Sequence, residues 1–315
     1  MGRRPEPRMT AMLNDRALDG WLVIDKPPRL SSHQIVERIR WLTGTKVGHA
    51  GTLDPLATGV LPLALGEATK TIAFAMSSRK CYRFRICWGV ARDTDDCEGA
   101  IVGESSSRPS RGQIEEILPR FTGTILQSPP VYSAIKVDGR RAYALARAAA
   151  PPSLPRRHVE IVALRLIAVP DRDHADCEAL VGKGTYIRAL VRDLAIGLGT
   201  VGHVAELRRL SVGPFCESQA ISLDSAAERR HSLAAAGYLL PLETALDDIP
   251  ALALTAAEAA RLRCGQRVTP QEVGVRAHLD RLGEGTVVAV WHARAVVALV
   301  RIENGGLRPS RVFNR

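Results

Sequence analysis

One acidic side chain stands alone in the stretch GHAGTLDPLATGVLPLALG, residues 48–66: no other carboxylate lies between Glu37 and Glu67. That residue, Asp54, is followed by Pro55, whose ring excludes Asp54 from the helical region and holds it extended or in a turn. His49 stands just upstream, and the apolar run at 60–65 just downstream reads as a short buried strand. A lone carboxylate on a stiff loop ahead of a buried strand is well placed to be held still for catalysis. An Asp-Pro turn with no chemical role has the same local pattern.

Other chemistries find less support. The six cysteines (Cys81, Cys87, Cys97, Cys177, Cys216 and Cys264) form no CxxC pair and no Cys/His cluster at zinc spacing. The residues 91–99, ARDTDDCEG, crowd four carboxylates into one turn. They lack the further oxygen ligands of an EF-hand and read as a solvated acidic turn. In Gly182-Lys183-Gly184-Thr185 the residue after the lysine is glycine, so the phosphate-loop pattern fails, although the string is still an anion-friendly helix start. The HxE and PCxxC signatures of a zinc deaminase are absent. No dinucleotide fingerprint is present, so neither a metal nor an organic cofactor is expected.

The elements that must position these residues are legible in outline. Residues 20–25 read as a strand ending at Lys26-Pro27-Pro28. Ser31 and Gln34 make a capping box, and Ile35, Val36, Ile39 and Leu42 mark one face of a helix that stops at Gly44. From Cys81 the alternation of Tyr82, Phe84, Ile86 and Trp88 against Arg83 and Arg85 predicts a half-buried strand with a cationic back. Tyr82 at its start is either a ring projecting into a cleft or an ordinary core tyrosine. A Ser/Arg/Pro linker at 105–112 and a short helix at 114–121 follow. Next comes a basic projection, with a hairpin turn at 137–140 and the cations Lys136, Arg140, Arg141 and Arg147. Strands are expected at 159–167 and 175–181. They lead to a helix with Thr185 as N-cap and a buried stripe of Ile187, Leu190, Val191, Leu194 and Leu198. Arg188 and Arg192 fall off that stripe. Residues 240–250 read as a boundary, with a helix at 254–263 and a hairpin at 286–291 and 295–302 beyond it.

The 315 residues suit one large domain or two. Lys and Arg number 43 against 33 Asp and Glu, a net charge of +10 that favours a polyanion such as nucleic acid or an acidic membrane surface. Residues 1–18 hold four arginines and no hydrophobic period, and read as a mobile basic tail. No apolar run approaches the roughly 20 residues of a membrane span. Scattered cysteines without a secretory leader point to reduced thiols and the cytoplasm.

Taken in order, GWLVIDKPPRLSS, VGHAGTLDPLATGVLPLALGEATK, KCYRF, QSPPVYSAIKVDGRRAYALAR, GKGTYIRALVRDL and LRRL resemble the bacterial tRNA pseudouridine synthase B (TruB) family over nearly the whole chain from Gly20. The sequence departs from the usual family pattern at Ala50, Cys81 and Arg92. The resemblance implies an α+β fold: a mixed, largely antiparallel central sheet flanked by helices at 19–245, and a small β-rich PUA-like module at 246–315. A mobile insertion at about 127–155 would clamp RNA. It implies isomerisation of the T-loop uridine of tRNA to pseudouridine by N1–C1′ cleavage, base rotation and C5–C1′ bond formation without a cofactor, with Asp54 as the catalytic carboxylate. Tyr82 is implied as the active-site tyrosine, and Arg188 as the partner that orients Asp54. Leu207 would lie under the base, with Tyr186, Lys26, His49, Lys136 and Arg141 at or near the RNA. A monomer acting on the T arm, with no membrane and no protein partner, is expected. A hydrolytic glycosidase would need two carboxylates set for acid and base work. The single candidate here fits isomerisation better. An RNA-binding protein or folding chaperone would use the same charge but gives no reason for the Asp54 loop. The long basic arm and short C-terminal module favour the stand-alone enzyme over guide-RNA-directed relatives.

Overall fold

The computed structural model describes residues 18–133, 135–137, 139–142, 152, 154–229, 232–269, 282–304 and 306–314. The expected basic tail lies outside them except for Leu18, and so do residues 143–151 of the expected insertion, Arg147 among them.

The chain begins with β1 (Gly20–Lys26), α1 (Ser32–Thr43), β2 (Val47–His49), β3 (Thr58–Leu65), α2 (Ile72–Ser77) and β4 (Lys80–Trp88). A small ladder of β5 (Val90–Arg92) and β6 (Ile101–Glu104) precedes α3 (Arg111–Ile117) and β7 (Gly123–Gln127). The hairpin β8 (Lys136–Val137) and β9 (Arg140–Arg141) leads to β10 (Arg157–Asp171), β11 (His174–Val181), α4 (Ile187–Gly197), β12 (Gly202–Val212) and β13 (Phe215–Cys216). Then come α5 (Leu223–Glu228), β14 (Leu239–Leu240), β15 (Ala251–Ala253), α6 (Ala256–Arg263), β16 (Val287–His292), β17 (Ala295–Glu303) and β18 (Gly306–Val312).

One ten-stranded sheet runs β14-β1-β3-β12-β4-β11-β10-β7, with β13 beside β12 and β2 beside β3. Every pairing in it is antiparallel except β12 with β3, which meet only at Arg208–Thr58 and Arg209–Gly59. This short parallel contact leaves the loop before Thr58 free to turn away from β12, and Asp54 sits on that loop. Gly59 makes the contact possible: its φ is 98°, and a Cβ there would lie 2.2 Å from the Arg209 carbonyl oxygen. Pro62 is tolerated inside β3 because its carbonyl accepts from Ala50 N (2.9 Å), on the β2 side, so its missing N–H faces away from the β1 ladder.

The main core lies between this sheet and α1, α3 and α4, and is mostly aliphatic, with Phe84 and Trp88 its buried aromatic residues. Local signals explain the helices. Ser31 and Gln34 form the capping box that starts α1, and Gly44, in the left-handed region, ends it. Helix α3 starts at Arg111, capped by Ser110, rather than at 114. Thr185 does not cap α4: the N-cap is Tyr186, without a side-chain bond, and the Thr185 hydroxyl donates to Gly182 O at 3.2 Å. A second core joins Trp21, Val60 and Phe215 to Ala289, Val296, Leu299 and Phe313, so the four-stranded sheet β15-β16-β17-β18 packs directly against the large one. Among the described residues no helix is long and apolar enough to cross a membrane.

Candidate active site

The Asp54 loop is stapled from three directions. Ser32, buried at the start of α1, accepts from Leu53 N at 2.8 Å and donates back to Leu53 O at 3.1 Å. The Pro55 carbonyl accepts from Arg29 N (2.8 Å) and from the Lys26 ammonium (3.1 Å). Arg209, 1% exposed on β12, donates to Gly51 O and Val60 O on either side of the loop. These bonds fix the backbone around Asp54 while its side chain stays about one-third exposed.

Arg188, in the first turn of α4, holds that side chain. Its Nε donates to Asp54 Oδ2 at 2.9 Å, Nη1 to Thr94 O at 2.8 Å, and Nη2 to Tyr132 O at 2.8 Å. Asp96 Oδ2 lies 3.3 Å from Nη1. Arg188 is off the apolar stripe, yet it is buried, because these acceptors use its whole guanidinium. The acidic turn therefore is not the solvated run expected. Asp96 is buried against Arg188, and Asp95, at φ 61°, pairs with Arg192 at 2.8 Å. Burial pushes the Asp95 carboxyl up despite Arg192, and burial with the charges of Asp96 and Asp54 does the same to Glu98. The counter-charges come from α4, some 97 residues along the chain, which a local reading of the turn does not reveal.

A cleft of about 280 Å³ opens over Asp54, lined also by Tyr82, Tyr186 and Leu207. Tyr82 is half-buried and faces it from β4, so its ring belongs to the cleft as well as to the core margin. Leu207 sits opposite Phe84 on β12. The buried Gln127 brackets Tyr186 with two bonds, accepting from its N at 2.9 Å and donating to its O at 3.1 Å. The Arg157 guanidinium lies 5.0 Å from the Tyr186 ring centre. Neither Gln127 nor Arg157 stands out by pattern.

Four expected RNA contacts fare differently. Lys26 is fully buried, and its ammonium donates to the carbonyls of Pro27, Leu30 and Pro55, so it braces the Asp54 loop from inside and is not exposed at the surface as a direct RNA contact would be. Burial lowers it to about 8, against the raising charges of Asp54 and Glu98. His49 lies half-buried on β2 opposite Leu63, outside the cleft lining. Lys136 and Arg141 are cross-strand neighbours in the β8–β9 hairpin.

Residues 39–187 match the model of the TruB family pseudouridylate synthase N-terminal domain, and residues 188–247 that of the tRNA pseudouridylate synthase B C-terminal domain. The chain belongs to the TruB family. It is 52% identical to a tRNA pseudouridine synthase B of Bradyrhizobium diazoefficiens, over 95% of this chain and 87% of that protein. With the Rhodospirillum rubrum protein of the same name the identity is 47%, over 97% and 100%. The fold is similar to a chain from a Cbf5-Nop10-Gar1 complex, with a TM-score of 0.74 at 24% identity over 94% of this chain and 85% of that one. A chain of an H/ACA RNP bound to a substrate RNA gives 0.72 at 22%, over 95% and 86%. The expected α+β fold is thereby borne out, and the chain is an isomerase of the pseudouridine synthase class. The boundary between the two TruB models falls at the start of α4. Strand β12, beyond that boundary, lies centrally in the large sheet, so both parts share one core.

Proposed function

We propose that this TruB-family enzyme converts the T-loop uridine of tRNA to pseudouridine, with Asp54 as the reacting carboxylate. The observation that carries the proposal is the Arg188–Asp54 pair: one carboxylate, clamped by a buried arginine at 2.9 Å, opening on a cleft lined by two tyrosines. The reaction breaks N1–C1′, turns the base, and joins C5 to C1′; the proton leaves C5, and N1, now free of the sugar, takes one up, so the composition is unchanged. Two routes start from the same oxygen. Asp54 either attacks to form a covalent adduct or removes a sugar proton to give a glycal-like species, and both need the carboxylate held in place.

A target inside the folded T loop must be flipped out, at a cost of a few kcal/mol of unstacking. Stacking on Tyr82 offsets part of that, typically about 1–3 kcal/mol per base. Leu207 supports the base from the opposite wall, and Tyr186 borders the ribose side. The β8–β9 hairpin, with Lys136 and Arg141, meets the backbone of the T arm. The enzyme acts as a monomer in the cytoplasm, where tRNA is found, and needs no cofactor. Carbodiimide mapping of a T-arm minihelix after incubation with the protein tests the proposal. One new pseudouridine at the T-loop position is expected; binding without any modified uridine would reduce the protein to an RNA-binding role.

A further inference from the structure

The cleft that holds Asp54 also carries a buried cation with no acid beside it. Lys80 opens β4, is 7% exposed, and lines the same cleft as Asp54 and Tyr82. Its ammonium donates to the carbonyls of Met76, at 2.6 Å, and Ser78. A lysine has three donors, so one remains beyond these two acceptors. Among the described residues Lys80 enters no ion pair, and the charges that act on it most are those of Arg209 and Lys183, both cations. Lys26 makes the contrast. It is more fully sealed, but it lies within the attraction of Asp54 and Glu98.

Buried charges in folded proteins are normally paired. The lining of this cleft holds four cations, Lys80, Arg157, Lys183 and Arg209, and among its described residues one acid, Asp54, which Arg188 already engages. Beside Lys80, which pairs with Val181 on β11, runs the loop at 182–185, whose shape is pinned by Gly182 N donating to Glu160 O at 2.8 Å and by Arg157 donating to Gly184 O. Lys183 is exposed on that loop. An anion entering from solvent beside Lys80 and Lys183 would supply the partner.

We infer that Lys80 binds a non-bridging phosphate oxygen of the RNA backbone beside the everted uridine, with Lys183 on the adjoining loop as a second cation. The inference rests on the substrate reading above and adds to it the contact that sets the depth of the nucleotide. Burial, with Arg209 and Lys183 next, lowers the Lys80 ammonium to about 8, and a bound phosphate would reverse that shift. The competing account is that Lys80 merely satisfies carbonyls at the end of α2.

The two accounts separate in a double-substitution experiment on binding. T-arm minihelices carrying one uncharged methylphosphonate, stepped through the linkages around the target uridine, are titrated with wild-type protein and with Lys80→Gln, which keeps donors for the α2 carbonyls. At one linkage the neutral group is expected to weaken wild-type binding by about 10- to 100-fold, the range for a charge-assisted hydrogen bond. Lys80→Gln should weaken binding of the unmodified RNA by a similar factor, and the two changes together should cost no more than either alone. Independent effects at every linkage would overturn the inference and leave Lys80 as a helix cap. Should the wild type neither bind nor modify any minihelix, the substrate reading itself falls; binding and modification with independent effects removes only the phosphate contact.

Discussion

At the scale of single residues the account turns on Arg188, which joins Asp54, Asp96 and two backbone carbonyls through one guanidinium. Removing one partner of a buried charge pair costs about 3–5 kcal/mol, because the other charge is left uncompensated. Arg188→Gln should therefore lower thermal stability as well as reduce turnover at least about 100-fold, and Arg188→Lys should recover stability better than rate, since an ammonium cannot span these acceptors in a fixed plane. A melting curve and a single-turnover assay of both variants check this. Tyr82→Phe should keep base stacking and lose whatever the hydroxyl contributes; a wild-type rate would make the ring a packing residue only. Lys80 gives a signed pH dependence. Its folded value of about 8 lies below the 10.5 of the unfolded chain, so the unfolded state holds more protons between those values. Stability contributed at this site rises with pH across that window. The unfolding free energies of wild type and Lys80→Met, from denaturant titrations, should therefore shift relative to each other in favour of wild type from pH 8 to 10, by about 2 kcal/mol.

At the scale of elements, the Asp54 loop is held by its neighbours more than by its own sequence. Ser32→Ala removes the acceptor of Leu53 N and the donor to Leu53 O, both buried. It should cost about 1–3 kcal/mol and lower kcat more than it raises KM, because Asp54 loses alignment without losing the cleft. Steady-state kinetics on a minihelix read the two constants apart. Much of this framework was legible beforehand. The Ser31 capping box, the alternation through Tyr82 to Trp88 and the apolar run behind Asp54 are local patterns that tertiary structure then kept. What was not legible was pairing across long separations. The acidic turn at 91–99 has the composition of a solvated loop, and only the arrival of Arg188 and Arg192 from α4 makes Asp95 and Asp96 buried partners. Lys26 misled for the same reason. The family resemblance implies only that Lys26 stands near the RNA, and nothing in the neighbouring Pro27 and Pro28 announces that three carbonyls converge on its ammonium.

At the scale of the whole molecule, charge and chemistry are divided. A net charge of +10 draws the protein to RNA without regard to sequence, so binding of the minihelix should weaken steeply and linearly in log–log terms as salt rises. The second core ties the C-terminal sheet to Trp21 and Phe215, which makes that sheet part of the enzyme's stability. Phe313→Ala, which empties a buried site in that core, should cost about 3–5 kcal/mol and lower a single melting transition instead of splitting it. Recognition is thus spread over the surface, whereas the rearrangement is assigned to one oxygen. The most direct measurement is the comparison of wild type with Asp54→Asn for minihelix affinity and for pseudouridine formed in a single turnover. The account predicts affinities within a few-fold of each other and no product from the variant. Product at the wild-type rate from Asp54→Asn would contradict it.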